Sequence, residues 1–346
     1  MMEWKEENLE NILKFYNGKA IKDMDNGNYP VYGSNGIIGY SNGFKYENAL
    51  IIGRVGAYCG SLRYEKKKFW ATDNTIVATT KDGYYQQFMF YVLHSFPLND
   101  LAGGSAQPLL NQTILSRIKL KIPPLPIQRK IAAVLSAYDD LIDNNTRRIA
   151  ILERMAEEIY REWFVRMRFP GHERVKFQKG VPEGWEVVSL GELANITMGQ
   201  SPSSEFYNQT GEGLPFNQGV GTYGQRFPTR EIFCSVSGRI AKKGDILFSV
   251  RAPVGRLNIA DCKMIIGRGL SAISHREHYN SYLFYALKTA FSDEDIIGNG
   301  AIFNAVSKKE LLNFKMNQPA YNLDGIFDKL IAPMDRRVEL LTHFTQ

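Results

Sequence analysis

Arginine, lysine and glutamine side chains in turns beside predicted strands are the residues of this sequence best suited to bind a ligand. Arg and Lys bind phosphates, and Arg, Asn or Gln bind base edges, so this set predicts contact with a nucleic acid. For any single residue the alternative is an ordinary solvated surface position. The candidates are Arg54, Arg63, Lys66, Lys67, Lys68 and Gln107 in the first half, and Gln200, Gln218, Arg226, Arg251, Arg256 and Arg268 in the second half.

The sequence lacks the common signatures of an enzyme that acts on nucleic acids by itself. It contains no Gly-x4-Gly-Lys-[Ser/Thr] loop for a nucleotide, no Asn-Pro-Pro-aromatic tetrapeptide of an amino-methyltransferase and no Cys-x-x-Cys pair. Cys262, His275 and His278 have no recognised metal-binding spacing. We therefore expect no catalytic residues, no metal site and no cofactor in this chain.

Length and composition fit a protein with more than one domain. The chain has 346 residues, of which 44% are hydrophobic, enough to build two cores. The net charge of +6 fits a polyanionic partner without requiring one. Three widely spaced cysteines, an N-terminus without the apolar segment of a secretory signal and the absence of a membrane-length apolar stretch favour a cytoplasmic protein that does not enter a membrane.

The two halves of the chain begin alike, which indicates an internal repeat. Trp4, Leu9, Ile12 and Gly18 are matched at one constant offset by Trp185, Leu190, Leu193 and Gly199. Each half continues with short strands punctuated by turns, and in the first half Asn35-Gly36 and Asn42-Gly43 are hairpin signals. Predicted strands cover 49–55, 74–80, 245–250 and 269–274, and predicted helices cover 86–94 and 279–287. Each half is thus predicted to be a mostly-β domain that leads into a helix.

A long helix is predicted between the two domains, over 123–168. Its apolar residues recur in steps of four and three, the spacing of a coiled coil, and no Gly or Pro interrupts the seam. Asn145 is a polar member of the seam, which typically fixes register or partner choice. The alternative is an amphipathic helix that lies on a large core. The residues expected to pair with another helix are Ile131, Leu135, Tyr138, Ile142, Asn145, Ile149, Leu152 and Ile159.

A second helix is predicted from about Leu323, with Ile326 and Leu330 expected to pair with the first helix. Pro333 lies inside it, and a proline in a helix interior is expected to produce a kink. The sequence ends at Gln346. We therefore expect a shorter partner for the first helix, either naturally short or truncated.

The repeat, the segment PPLPIQRKIA at 123–132, the seam and the ending EIYREWFVR at 158–166 together resemble the DNA-specificity subunit of type I restriction-modification enzymes. The resemblance covers the whole chain, although Ile127 stands where many members of that family carry an acid. It implies an α+β fold, with two mostly-β target-recognition domains in internal repeat joined by long antiparallel coiled-coil helices. The corresponding divisions are 1–122 for the first target-recognition domain, 123–168 for the conserved spacer helix, 169–318 for the second target-recognition domain and 319–346 for a short or truncated second helix.

The resemblance also implies a function without catalysis in this chain. Each domain would read one half of a bipartite site in double-stranded DNA, and the helices would recruit methyltransferase (modification) subunits and a restriction/translocase subunit. S-adenosylmethionine, ATP and Mg²⁺ would belong to those partner subunits. The weaker second helix leaves room for self-association.

Two other classes of function stay open at this point. In the first, the chain is a structural or protein-binding module whose helix drives oligomerisation. In the second, it is a self-sufficient restriction or repair enzyme, which would cleave DNA alone in the presence of metal. Salt dependence separates DNA binding from the first alternative, because affinity built on phosphate contacts falls steeply with salt.

Overall fold

The computed structural model describes residues 4–22, 24, 26–103, 108–291 and 305–345. The chain divides into two compact units, 1–141 and 142–346. Each unit has a hydrophobic core of its own. One long helix crosses the division between the units.

Among its described residues, the first unit has nine short strands and three short α-helices, and it ends within the long helix α4. The strands are β1 (Lys5–Asn8), β2 (Leu13–Asn17), β3 (Tyr29–Gly33), β4 (Gly36–Ser41), β5 (Ala49–Gly53), β6 (Leu62–Glu65), β7 (Trp70–Ala71), β8 (Thr75–Thr80) and β9 (Lys119–Ile122). The helices are α1 (Leu9–Ile12), α2 (Gln86–His94), α3 (Gln112–Ser116) and α4 (Leu125–Tyr160).

The described strands of the first unit form three sheets. Strands β2, β8, β5 and β6 form an antiparallel sheet in that order, β3 lies between β4 and β7, and β1 pairs with β9. Every residue of β5 is buried, as expected for a continuous apolar run in a central strand. The turn between β3 and β4 falls at the predicted Asn35-Gly36 signal, and Gly36 there has a φ of +112°, which favours glycine. The hairpin predicted at Asn42-Gly43 does not form, because the chain runs on from β4 to an isolated bridge between Tyr46 and Phe69.

The second unit follows the same plan with more strands. The strands are β10 (Phe177–Gln178), β11 (Val181–Pro182), β12 (Glu186–Ser189), β13 (Ala194–Met198), β14 (Tyr207–Asn208), β15 (Leu214–Asn217), β16 (Phe233–Cys234), β17 (Ile240–Ala241), β18 (Ile246–Ser249), β19 (Leu257–Ile259), β20 (Met264–Ile266), β21 (Leu270–His275) and β22 (Lys315–Gln318). The helices are α5 (Leu190–Leu193), α6 (Asn280–Ala290), α7 (Lys308–Asn313) and α8 (Leu323–Thr345).

Strand pairing confirms the internal repeat. The sheet β13-β21-β18-β19 reproduces β2-β8-β5-β6, and the pair β12 with β22 reproduces β1 with β9. The parallel pair β15 with β20 reproduces the parallel pair β3 with β7. An isolated bridge also recurs, between Val55 and Leu109 in the first unit and between Arg251 and Ala305 in the second. The two halves are therefore two copies of one fold.

In each unit the long helix supplies a side-chain oxygen to the start of the shorter helix that packs beside it. Gln128 of α4 accepts a hydrogen bond from the backbone N–H of Tyr85 at 2.9 Å, and its amide donates to Pro123 O at 2.9 Å. Asp328 of α8 accepts from the backbone N–H of Ser281 at 2.8 Å. Both bonds satisfy an N–H that the helix itself leaves unpaired. They join each domain to the helix that follows it.

Within the second unit, α4 and α8 run antiparallel. Tyr160 near the end of α4 packs on Phe327 near the start of α8, with ring centroids 5.7 Å apart. Ile149, three turns earlier in α4, packs with Val338 and Leu341 near the end of α8. The later contact in α4 thus lies at the start of α8 and the earlier one lies near its end, so the two helices are antiparallel.

The predicted seam of α4 is divided between two environments. Asn145 and Ile149 are buried, and Leu152 and Ile159 pack beside α8 and the core of the second unit. Ile131 instead packs on the core of the first unit. The remaining seam residues are exposed, so their pairing with another helix stays a prediction; they are Leu135, Tyr138 and Ile142.

The prediction for α8 was wrong about which face of the helix packs against α4. Ile326 and Leu330 are 47% and 44% exposed, so they do not pair with α4 in this chain. The buried seam starts one residue later and keeps the four-three spacing, over Phe327, Ile331, Met334, Val338 and Leu341. The helix continues through Pro333, which is exposed. No helix in the described part of the chain is both long and apolar enough to span a membrane.

Candidate nucleic-acid interface

Arg54 lies at the end of β5, where several segments of the first unit meet. Its backbone N–H donates to Asn74 O at 3.0 Å, and its carbonyl accepts from Leu110 N at 2.9 Å. The side chain is half-buried, and Nε has no hydrogen-bond partner among the described residues. The backbone around Arg54 is thus fixed from two sides.

The β3–β4 turn lies against the same place. Ser34 Oγ donates to Asn74 O at 2.7 Å, which is the carbonyl that also accepts from Arg54. Arg63 of β6 is exposed and donates from Nη2 to Asn35 O at 3.3 Å. Arg54, Arg63 and the Ser34-Asn35 turn therefore form one surface, which we call the first basic edge.

The other predicted contacts of the first unit lie elsewhere. The lysine run follows the far end of β6, where Lys68 Nζ lies 4.4 Å above the ring of Phe44 and Lys66 Nζ lies 5.9 Å from the ring of Tyr64. Lys67 is exposed beside them. Gln107 lies outside the described residues.

In the second unit, predicted contacts converge on the turn 267–269, which links β20 to β21. The carbonyl of Gln218 accepts from Gly269 N at 3.1 Å, and Gln200 N donates to Ile266 O at 3.0 Å. Arg268 lies in the turn between those two partners. All three predicted side chains, Gln200, Gln218 and Arg268, are exposed. The turn occupies the place that residues 72–74 occupy in the first unit.

Arg251 and Arg256 extend this surface along the end of β18. Both are exposed, and the carbonyl of Arg256 accepts from Ser249 N at 2.9 Å. Arg239, an exposed residue that the sequence did not single out, lies beside the turn 267–269, because its carbonyl accepts from Ile266 N at 2.9 Å. We call this surface the second basic edge; its members are Gln200, Gln218, Arg251, Arg256 and Arg268. It stands at the same end of the repeated sheet as the first basic edge.

Arg226 is a correction to the predicted set, because it is buried and its charge is neutralised within the chain. Its side chain is 3% exposed. Nη2 donates to Asp335 of α8 at 2.5 Å, and Nη1 donates to Glu153 of α4 at 3.3 Å and to the Tyr285 hydroxyl at 3.2 Å. The guanidinium carbon also lies 4.6 Å from the ring centre of Phe284. Arg226 is therefore a structural residue rather than a surface contact.

The electrostatics of Arg226 support this assignment. Burial alone lowers the pKa of Arg226, and the charges of Asp335 and Glu153 with the Tyr285 hydroxyl outweigh that effect, so the pKa is raised above its ordinary value. Asp335 also accepts from the Ser281 hydroxyl at 2.6 Å. The cluster joins a loop of the β domain to both helices.

The two basic edges have the chemistry of a nucleic-acid surface. Exposed guanidinium groups suit phosphates or guanine, and exposed amides suit base edges. Across the described ranges, no group of three or more His, Cys, Asp or Glu side chains is placed to hold a metal ion. The guanidinium and amide groups of the two edges can bind a nucleic acid through charge and hydrogen bonds.

Comparison with known proteins agrees with this fold. A family described as type I restriction modification DNA specificity domain matches residues 1–154 and 182–342. The chain is 33% identical over 299 residues to a putative type I restriction enzyme MjaX specificity subunit of Methanocaldococcus jannaschii, covering 84% of this chain and 70% of that protein. It is 34% identical over 145 residues to the MjaIX specificity subunit of the same organism, covering 39% of this chain and 33% of that protein.

A solved structure has the same fold over nearly the whole chain. The crystal structure of a type I restriction-modification system S subunit from M. genitalium superimposes with a TM-score of 0.70 and covers 99% of this chain and 92% of that chain. The sequences are 18% identical. At this level of sequence identity, the similarity to that structure shows a shared fold and no more.

Proposed function

The chain belongs to the type I restriction-modification DNA specificity family, and from this premise we propose that it is the DNA sequence-specificity subunit of such a system. Each repeated domain reads one block of a bipartite site in double-stranded DNA through its basic edge. The alternative, a structural or protein-binding module, is not favoured.

The observation that carries the proposal is the recurrence of a basic edge at one place in both copies of the fold. The bridges Val55–Leu109 and Arg251–Ala305 mark that place in the two units. Surface residues of a repeat diverge freely unless both copies keep a related task. Here the first copy has the exposed Arg63 with the half-buried Arg54, and the second copy has three exposed arginines, at the same end of the same sheet.

The partners and cofactors of the proposed function follow from the system to which the family belongs. We propose that methyltransferase subunits and a restriction/translocase subunit assemble on this chain in the cytoplasm. S-adenosylmethionine, ATP and Mg²⁺ are then bound by those subunits, and this chain contributes recognition without catalysis.

Long-read methylation mapping tests the proposal. A host that expresses this chain with its modification subunit is compared with the same host lacking this chain. The expected result is a new methylated motif of two short blocks separated by a fixed gap. An unchanged methylation pattern, in cells from which the two subunits co-purify, would contradict the proposal. Metal-dependent cleavage of DNA by the isolated chain would contradict the non-catalytic role.

A further inference from the structure

The tip of the β3–β4 hairpin, residues 34–38, exposes two adjacent isoleucines. Ile37 and Ile38, the two residues after Gly36, are 52% and 48% exposed. Val31 pairs with Gly39 and Tyr32 pairs with Ile37, so Ile38 is the extra residue of a β-bulge. Both isoleucines are exposed at this bulge, whereas Gly33 and Gly36 beside them are buried against the body. Two adjacent isoleucines in that position make a surface that is suited to contact with another molecule.

The turn at the end of this hairpin is held against the body of the first unit. Ser61 Oγ donates to Ser34 O at 2.7 Å, in addition to the bonds of Ser34 Oγ to Asn74 and of Arg63 to Asn35. These bonds come from two different segments, β6 with the residue before it and the turn 72–74. A ribbon fixed in this way can bind without first losing conformational freedom.

Charge identifies the partner as DNA rather than as another protein surface. The exposed guanidinium of Arg63 lies directly under the turn, and Arg54 shares the Asn74 carbonyl with Ser34. An apolar tip beside the exposed cation of Arg63 suits a duplex, whose phosphates flank the groove. The major groove admits a two-stranded β-ribbon, and there the C5-methyl group of thymine is the apolar feature that distinguishes base pairs.

We propose that the β3–β4 tip enters the major groove of one block of the DNA target and that Ile37 and Ile38 contact thymine methyl groups there. This inference rests on the proposed function and names the residues that set specificity in the first domain. It requires that the block read by this domain contain at least one T·A pair. The exposed Asn35 amide at the turn is suited to an adjacent adenine.

Replacing thymine by deoxyuridine removes only the methyl group, so it tests the contact directly. The full chain, purified in complex with its modification subunit, is titrated with duplexes of the mapped motif that carry deoxyuridine in one block or in the other. In the block read by the first domain, each contacted methyl group that is lost should weaken binding about fourfold, the ratio for one buried methylene. Deoxyuridine in the other block should leave affinity unchanged.

Ile37→Ser and Ile38→Ser supply the second half of the test. Each variant should bind the thymine duplex more weakly and should lose the sensitivity to deoxyuridine, because the partner of the methyl group is gone. Val187→Ser is the matched control, since Val187 is an equally apolar exposed strand residue of the second unit. It should behave as the wild-type chain.

Four results would overturn the inference. The first is a wild-type complex that binds its motif specifically but is indifferent to deoxyuridine in both blocks. The second is that Ile37→Ser weakens recognition of a block that contains no T·A pair. The third is a variant that keeps the wild-type sensitivity to deoxyuridine. The fourth is a variant that no longer co-purifies with the modification subunit, which would make the tip a protein contact. A wild-type complex without any sequence preference would instead remove the proposed function itself.

Discussion

Nη2 of Arg226 and Oδ1 of Asp335 form an ion pair of 2.5 Å in the interior of the second unit. Arg226 belongs to a loop of the β domain and Asp335 belongs to α8, while Glu153 of α4 binds the same guanidinium. A single side chain thus joins the domain to both helices. Loops are the usual place for variable contacts, and this loop instead carries a residue on which the packing of the unit depends.

Replacing Arg226 should be costly, because it leaves two carboxylates without their counter-charge. We expect Arg226→Met to destabilise the chain by about 3 kcal/mol or more, as for other broken buried pairs. Urea unfolding measures the change. Arg147→Met is the control, since the Arg147–Asp143 pair is exposed and should contribute less than about 1 kcal/mol. Equal effects of the two substitutions would contradict the structural role of Arg226.

Arg226 also shows what the sequence could not reveal. Its partners Glu153 and Asp335 are 73 and 109 residues away, so no local pattern distinguishes this arginine from one at the surface. Buried and exposed arginines look alike in a turn beside a strand. Tertiary packing alone separates them.

The phase of α8 was missed for a different reason. The helix carries two apolar stripes, one with Ile326 and Leu330 and the other with Phe327 and Ile331. Adjacent helix positions lie about 100° apart, so either stripe can define an amphipathic face. The sequence pattern alone does not show which of the two stripes packs on the core. By contrast, the repeat, the Asn35-Gly36 hairpin and the existence of α4 followed from local spacing and were confirmed.

Gln128 should contribute substantially to the stability of the first unit. It is buried and binds the backbone at Tyr85 and Pro123, so Gln128→Ala leaves an N–H and a carbonyl without partners. We expect a loss of about 1–3 kcal/mol in the free energy of unfolding. Arg129→Ala, at the next and exposed position, is the control and should change stability by less than about 0.5 kcal/mol. Thermal or urea unfolding of both variants measures these losses. A Gln128→Ala variant as stable as the wild-type chain would show that the hydrogen bonds of Gln128 to Tyr85 and Pro123 are dispensable.

Asp328 predicts a dependence of stability on pH. Burial raises the pKa of Asp328, and the N–H groups of Tyr282 and Ser281 oppose this only in part. Because the folded pKa lies above the unfolded one, folding favours the protonated acid. That contribution is fully present below the usual pKa of 3.8 and is lost as the pH rises through the raised value.

Asp328→Asn keeps an acceptor oxygen and removes the half-buried charge. It should therefore equal or exceed the wild-type chain in stability at pH 7, and the difference between the two should shrink as the pH falls toward 4. Asp328→Ala, which loses the acceptor, should be less stable than both at pH 7. Unfolding curves at several pH values measure the effect. A difference between wild type and Asp328→Asn that is constant with pH would contradict the assignment.

The basic edges predict that the two blocks of the DNA site can be weakened one at a time. Arg63 lies on the first basic edge and Arg268 on the second, and both side chains are exposed. If Arg63 reads a base, Arg63→Ala should relax one block of the methylated motif and leave the other intact, and Arg268→Ala should do the converse.

If either residue binds phosphate, its removal should weaken binding to all sequences and lower the slope of log K against log salt by about 1. Methylation mapping and salt titration of the same variants distinguish these outcomes, with Arg147→Ala as the exposed control. Loss of both blocks from one substitution, without a change in salt slope, would show that the edges do not act as separate readers.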